Sequence, residues 1–252
     1  MNNVDIFICT HKDFDDYPQA EFYKIVSGYE LSKEYPYEIV YANDGLWFQY
    51  NKILNEFTYM AYIYENYPLK DYVGFCHYRR YLDFNDSVPD MDEIFSQYDV
   101  IVGEPLIEIK DFTISSYYSH CHNIDDLNAV DSIIENLYGK EMLEKWTKFK
   151  SMNAFEVFYP CNMFVMKSED FRSYMEWMIP IVKIYLANQG ITCCQDAIEH
   201  VSANQEKFSK PWLNEVIQYQ SRYPGFVIER LTAFYLWSQF KSQKQIKIIE
   251  RK

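Results

Sequence analysis

Apolar and polar positions follow two different periods along the chain. Val4 to Cys9, "VDIFIC", is an apolar run of buried-strand length, followed by the polar stretch "THKDFDDYP". Glu38 to Ala42, "EIVYA", is a second such run, broken at once by the turn signal "NDG". From Asn51 to Asn66 the spacing changes. Ile53, Leu54, Phe57, Met60, Ala61 and Tyr64 recur at helical intervals, and Pro68 ends the segment. Tyr72 to Cys76 and Asp99 to Val102 are further strand-like runs, the second closed by "GEP". Ser115 to Lys150 reads as amphipathic helix. Cys161 to Met166, "CNMFVM", predicts a short strand, with a helix opening at the cap residue Ser168. Glu229 to about Ile249 reads as one long helix whose aromatic first half gives way to a basic tail.

Strands alternating with helices imply an α/β protein built on a parallel sheet with covering helices. Ligands of such open sheets bind beyond the carboxyl ends of the strands. Thr10–His11–Lys12, Asn43–Asp44–Gly45 and His77–Tyr78–Arg79–Arg80 each follow a strand end. Three polar clusters converging on one edge define a candidate site.

Composition narrows the class. The chain has 252 residues, 48% hydrophobic and 19% aromatic, enough for a sizeable core in one domain. The amino terminus lacks a signal-peptide pattern, and no run approaches the roughly 18 apolar residues of a membrane span, so a cytoplasmic protein is expected. Six cysteines without C-x-x-C spacing read as buried free thiols. A net charge of −13 argues against a nucleic-acid partner. Positive charge is nevertheless concentrated at Arg79–Arg80 and in the tail Lys241–Lys252, which has five basic residues and one acid.

Two adjacent arginines at a strand end offer planar forks suited to phosphate or carboxylate. Either could instead tie a loop to the core. Asp44 could cap its turn or hold a ribose hydroxyl or base edge. Glu56 and Thr58 read as a solvated helix face or as substrate contacts. His120 and His122 in "SHCHN" lack an evident third metal ligand nearby, which leaves a hydrogen-bonded histidine or a substrate contact. In "RYPGFVIERL" Gly225 follows Pro224 as a turn, and Glu229–Arg230 is either a structural pair or a general base with its neighbour. G-x-S-x-G, P-loop, kinase, H-E-x-x-H and G-x-G-x-x-G signatures are all absent.

Taken together, "THK", Asn51 to Thr58 as "N-x-x-x-x-E-F-T", "VGFCHYRRYL", "YSHCHNIDDL", "CNMFVM" and "RYPGFVIERL" resemble a bacterial family associated with capsular and exopolysaccharide gene clusters. Some members of that family are galactofuranosyltransferases. The resemblance runs from about Ile6 to Leu236. It implies a nucleotide-sugar-dependent glycosyltransferase of GT-A-like architecture, a Rossmann-type mixed sheet flanked by helices with a largely helical carboxyl-terminal part. The nucleotide half would span about residues 1–110 and the acceptor half about 111–252. By matching motif, His77, Arg79 and Arg80 become signature positions, with Asn51, Glu56, Thr58, Asn162, Glu229 and Arg230 as matching polar ones. His122 is preferred over His120 because Tyr118, His122 and Asp126 keep the family's spacing.

The place where most GT-A enzymes carry a metal-binding D-x-D holds "CHYRRY" here, while "DFD" (Asp13–Asp15) and "DMD" (Asp90–Asp92) lie in loops elsewhere. The arginines are therefore expected to neutralise the leaving diphosphate without a metal cofactor. Asp83 is the fallback ligand for manganese or magnesium. Thr10, His11, Lys12 and Asp44 would hold the UDP-sugar donor. Glu229, then Asp196 or Asp83, would deprotonate the acceptor in an inverting displacement. "SKPW" (Ser209–Trp212) also resembles a motif of a retaining family. The acceptor would be a growing, lipid-linked glycan, and the basic helical tail could rest on anionic headgroups or be solvated. A non-catalytic sugar- or nucleotide-binding module and a sugar-phosphate transferase are the alternatives.

Overall fold

The computed structural model describes residues 3–18, 20–84, 89–105 and 109–250. Strand β1 (Val4–Thr10) is buried along its whole length, as expected for a central strand covered on both faces. Beside it β2 (Tyr23–Ser27), β3 (Ile39–Tyr41) and β4 (Tyr72–His77) run parallel, in the order β3-β2-β1-β4. β5 (Arg80–Leu82) folds back on the end of β4, His77 opposite Arg80. β6 (Val100–Gly103), β7 (Phe164–Lys167), β8 (Gln243–Ile246) and β9 (Ile248–Glu250) extend the sheet to β3-β2-β1-β4-β7-β6-β8, with β5 bridging β4 and β9.

The sheet is mixed, whereas hydrophobic pattern alone implied a parallel one. β7 runs antiparallel to both β4 and β6. The long helical stretch between β6 and β7 leaves the chain free to re-enter in either direction. Gly74 makes the β4–β7 contact close, since a Cβ there would stand 2.7 Å from Val165 Cγ2 and 2.9 Å from the Phe164 carbonyl oxygen.

Helices α1 (Asn51–Leu54) and α2 (Glu56–Asn66) precede β4, and α3 (Met91–Gln97) precedes β6. Between β6 and β7 lie α4 (Ile114–Cys121), α5 (Ile124–Asn128), α6 (Val130–Tyr138), α7 (Lys140–Ser151) and α8 (Ala154–Val157). Between β7 and β8 come α9 (Ser168–Asn188), α10 (Cys194–Ala203), α11 (Gln205–Phe208), α12 (Val216–Gln220) and α13 (Tyr223–Gln239). Alternate strand residues feed two cores. Phe7, Phe75 and Phe164 pack with Phe57, Phe171 and Phe234 on one face. Ile6, Ile8 and Val165 pack with Tyr81 and Phe95 on the other.

Three sequence expectations change. The helix expected over Asn51–Asn66 breaks at Asn55, which adopts φ 52° and ψ −131°. Pro224 and Gly225 make no turn; they lie in the first turn of α13. The carboxyl-terminal helix stops at Gln239 and the basic tail pairs as β8 and β9, so no helical end is available to lie on headgroups. Asp99 fixes that change of direction, its carboxylate accepting from the Lys241 and Ser242 N–H groups, both at 2.9 Å. Ile246 and Ile248 then pack into the second core. Arg251 and Lys252 of the tail lie outside the described residues.

Candidate active site

A cavity of about 800 Å³ opens beyond the carboxyl ends of β1 and β4. The sheet supplies Cys9, Thr10 and His77. The segment from Asn51 to Glu56 forms one wall, and Cys194 and Ile198 of α10 with Ile217 and Gln218 of α12 form the other. Its fixed charges are the cations of Lys52, Arg79 and Arg222 against the single carboxyl group of Glu56. In a chain of net charge −13 that local reversal of sign favours an anionic ligand.

The break at Asn55 places Glu56 in the cavity. Asn51 Nδ2 donates to Thr58 Oγ1 (2.7 Å), and Thr58 Oγ1 donates to the Asn55 carbonyl (2.8 Å), so α1 and α2 are locked across the kink. Tyr59 adds hydrogen bonds to the Thr10 carbonyl (2.8 Å) and Asn51 Oδ1 (3.4 Å). From the other side Arg222 Nε donates to Asn55 Oδ1 at 2.9 Å. Gly225 lets α13 approach, because a Cβ there would stand 2.4 Å from Asn55 Nδ2 and 2.7 Å from the Ile53 carbonyl oxygen. Burial, reinforced by the Glu229 charge, raises the Glu56 carboxyl above its ordinary range.

His77 stands beside Glu56, its Nε2 3.9 Å from Glu56 Oε1. Burial and then the Arg79 and Arg80 charges lower its pKa to about 3, so the ring is neutral near pH 7. The Arg79 backbone N–H donates to His77 Nδ1 at 3.1 Å, which puts the ring proton on Nε2, facing Glu56. His11 also lines the cavity, its pKa lowered by burial and by Lys12, Arg222 and Arg79.

The two arginines diverge. Arg79 lines the cavity, its guanidinium 5.2 Å from the Tyr78 ring centre. Arg80 turns away, donating through Nε to Glu250 Oε1 (2.7 Å) and through Nη1 to Cys161 Sγ (3.2 Å). Thr10 Oγ1 is engaged with the Lys12 backbone, donating to its carbonyl at 2.6 Å, so it shapes the loop. Lys12 leans on Tyr78, and Asp44 is exposed beside Tyr62; neither is part of the cavity lining.

A left-handed corner ties Glu56 to α13. Cys161 (φ 65°) and Asn162 (φ 51°) are consecutive non-glycine residues at positive φ. The Cys161 N–H donates to Glu229 Oε1 (2.6 Å), and Asn162 Nδ2 donates to Glu56 Oε2 (3.4 Å). Glu229 Oε2 accepts from Arg230 Nη1 at 2.6 Å, and the buried Arg230 guanidinium lies 4.5 Å from the Phe158 ring centre. Both Glu229 oxygens are thus hydrogen-bonded within the protein, and Glu229 is not among the cavity-lining residues.

The remaining candidates lie apart. Asp196 caps the start of α10, accepting from Thr192 N–H (2.6 Å), Thr192 Oγ1 (2.7 Å) and Cys193 N–H (3.0 Å). Those bonds, Thr192's first, hold its carboxyl below the usual range. Asp83 follows β5 and pairs through its N–H with the Lys247 carbonyl. His122 is buried, stacked 4.0 Å from Phe226, and bonded through Nδ1 to Gln220 Oε1 at 3.1 Å. Because Gln220 Nε2 donates to the Cys121 and Phe208 carbonyls, His122 must be the donor in that pair. Tyr118 and Asp126 share this interior, each with a side-chain oxygen lacking a protein partner. Sequence reasoning missed Arg222, Lys52 and Tyr29 as cavity residues. Arg222 stood at the head of the quoted "RYPGFVIERL", and a second fixed cation near "HYRR" was its only signal.

With this geometry in view, the architecture is a GT-A-like glycosyltransferase fold. The apo structure of WbbM, a bifunctional glycosyltransferase, superposes with a TM-score of 0.66 at 20% identity, covering 99% of this chain and 45% of that one. The chain thus spans less than half the length of that protein. Residues 5–199 match DUF4422, a domain of unknown function, and the chain belongs to that family. No curated protein matches. Arg222, Gly225 and Glu229 fall beyond the matched segment.

Proposed function

We propose that the protein transfers a hexosyl residue, with galactofuranose the expected sugar, from a UDP-sugar to a growing, lipid-linked capsular or exopolysaccharide glycan. The observation that carries this reading is one largely buried carboxyl group, Glu56, its side chain 13% exposed, sharing with three fixed cations a cavity at the strand ends of a GT-A-like fold. Arg79 and Arg222, with Lys52, hold the diphosphate. Glu56 takes the proton from the acceptor hydroxyl as its oxygen attacks the anomeric carbon. The sugar–phosphate C–O bond breaks with inversion, and UDP leaves with the electron pair. His77, neutral with its proton on Nε2, donates a hydrogen bond beside Glu56 without competing for that proton. Glu56 thus replaces Glu229 as the base, and Arg222 replaces Arg80 in the clamp.

GT-A enzymes commonly place a divalent cation on the diphosphate, and in this reading the fixed cations of the cavity take its place. Asp13 accepts from the Ser32 and Lys33 N–H groups, and Asp90 from the Glu93 N–H. Among the described residues no three His, Cys, Asp or Glu side chains form a group suited to a metal ion. The same set has no helix long and apolar enough to cross a membrane.

Calorimetric titration of UDP in EDTA and then in manganese tests the clamp, repeated for Arg79→Ala, Arg222→Ala and Arg80→Ala. Metal-independent binding lost in the first two variants and kept in the third is expected. Binding only with manganese would overturn it. Mass spectrometry of the product distinguishes a glycoside from the phosphodiester of a sugar-phosphate transferase. Binding without any turnover would favour a sugar- or nucleotide-binding module.

A further inference from the structure

We infer that Trp212 and Tyr219 form an outer subsite that stacks a sugar ring of a glycan, an inference resting on the glycosyl-transfer reading. Of the chain's five tryptophans only Trp212 is exposed, at 47%. Its position is fixed. Lys210 Nζ donates to the Ser119 carbonyl at 2.7 Å, anchoring this segment to α4, and the Leu213 N–H closes a turn onto the Lys210 carbonyl.

The indole meets Tyr219 edge to face, with centroids 6.0 Å apart and planes at 82°. Tyr219 in turn packs at a tilt against Phe226 (5.2 Å, 34°) and is stacked with the buried His122 (5.9 Å, 14°). A chain of rings thus runs from the core to an indole that stays 47% exposed.

The platform neighbours the cavity through Arg222 and Phe226. Ile217 and Gln218 on α12 line the cavity, and Tyr219 follows them in sequence. Arg222, another lining residue, lies over Phe226 at 5.6 Å, the same ring that supports Tyr219.

The surroundings favour a glycan over a lipid surface. Ser209, Asn214, Glu215 and Gln218 are exposed in the segments that flank Trp212 in sequence, which also hold Lys210. A pyranose or furanose ring has a C–H face for the indole and equatorial hydroxyls for such side chains. A membrane surface would gain little from one ring.

The test uses an array of neutral hexose oligosaccharides, probed with wild type, Trp212→Ala and Trp212→Phe, with UDP titrated calorimetrically into all three. Wild type is expected to bind hexose oligosaccharides, Trp212→Ala to weaken that binding by about tenfold or more, and Trp212→Phe to retain most of it. UDP affinity should be the same in all three. The inference is overturned if wild type binds no oligosaccharide, if Trp212→Ala binds as well as wild type, or if the alanine variant loses only sedimentation with phosphatidylglycerol vesicles. Trp212-dependent glycan binding without UDP binding would remove the transfer reading and leave the platform standing.

Discussion

Substituting Gly225 with alanine probes the feature that sets Glu56 in place. The new Cβ would stand 2.4 Å from Asn55 Nδ2, 3.2 Å from Asn55 Cγ and 2.7 Å from the Ile53 carbonyl oxygen, where ordinary contact is 3.4–4 Å. The amide could swing away, breaking its bond to Arg222, but the carbonyl belongs to the backbone of α1. That segment, or α13, must retreat by roughly 0.7 Å or more to restore contact. Overpacking of this kind costs about 1–3 kcal/mol. Replacing a helical glycine returns at most ~1 kcal/mol, and less in a first turn. The net loss should be about 1–2 kcal/mol, or a Tm lower by ~2–8 °C in a chain of this size. Displacing a reacting group by such a distance costs about a hundredfold in rate. Thermal melts and turnover measured on the same preparation check both figures. A variant with a raised Tm and wild-type turnover would refute the reasoning, because it would mean that Asn55 and Glu56 do not depend on this contact.

Glu56→Gln should lower kcat by about 10²–10⁴-fold while UDP still binds; because the Glu56 carboxyl is raised above its ordinary range, wild-type kcat should climb with pH through that raised value, and the variant should lose this limb. Arg80→Ala should cost under about 1 kcal/mol of stability, since its ion pair with Glu250 is largely solvent-exposed, and should leave UDP affinity unchanged. Asp126 is pushed by burial from 3.8 to about 8, so the folded state holds a proton that the unfolded chain has released. Its stabilising effect is complete below about pH 4 and declines by about 1.4 kcal/mol per pH unit up to about pH 8. Denaturant unfolding of Asp126→Asn should lack that decline; an unchanged slope would rule Asp126 out as its source.

The strand ends were legible because apolar runs stop abruptly at polar clusters, and this located the cavity at Thr10 and His77. The division between Arg79 and Arg80 was legible only in part. Arg79 lies in the turn after β4 and Arg80 opens β5, and the second is drawn from the site by its pairing with β9, 170 residues away. In the sequence Glu229 stood at a helix start and Glu56 inside a helix, which favoured Glu229 as the base. What separates them is the left-handed Cys161–Asn162 corner, whose N–H occupies Glu229, and no local propensity announces two non-glycine residues at positive φ. His122 satisfied the family spacing and is nonetheless a core residue, because the partner that fixes it, Gln220, lies 98 positions on. The basic tail alternates as a strand should, but its charge drew attention to solvent and away from Ile246 and Ile248.

The β5–β9 pairing also bears on the order in which the molecule is made. Strands β1 to β4 can associate once the first third of the chain has been synthesised, and their parallel pairing needs nothing later. β5, which follows Arg79, acquires its outer neighbour only when residues 248–250 have emerged. Until then a nascent chain on the ribosome carries the Arg80–Leu82 segment as an uncovered strand edge, the kind of surface that chaperones bind and that stray strands join. Emergence of residues 248–250 therefore marks the point in synthesis at which the strand beside the anion site is closed.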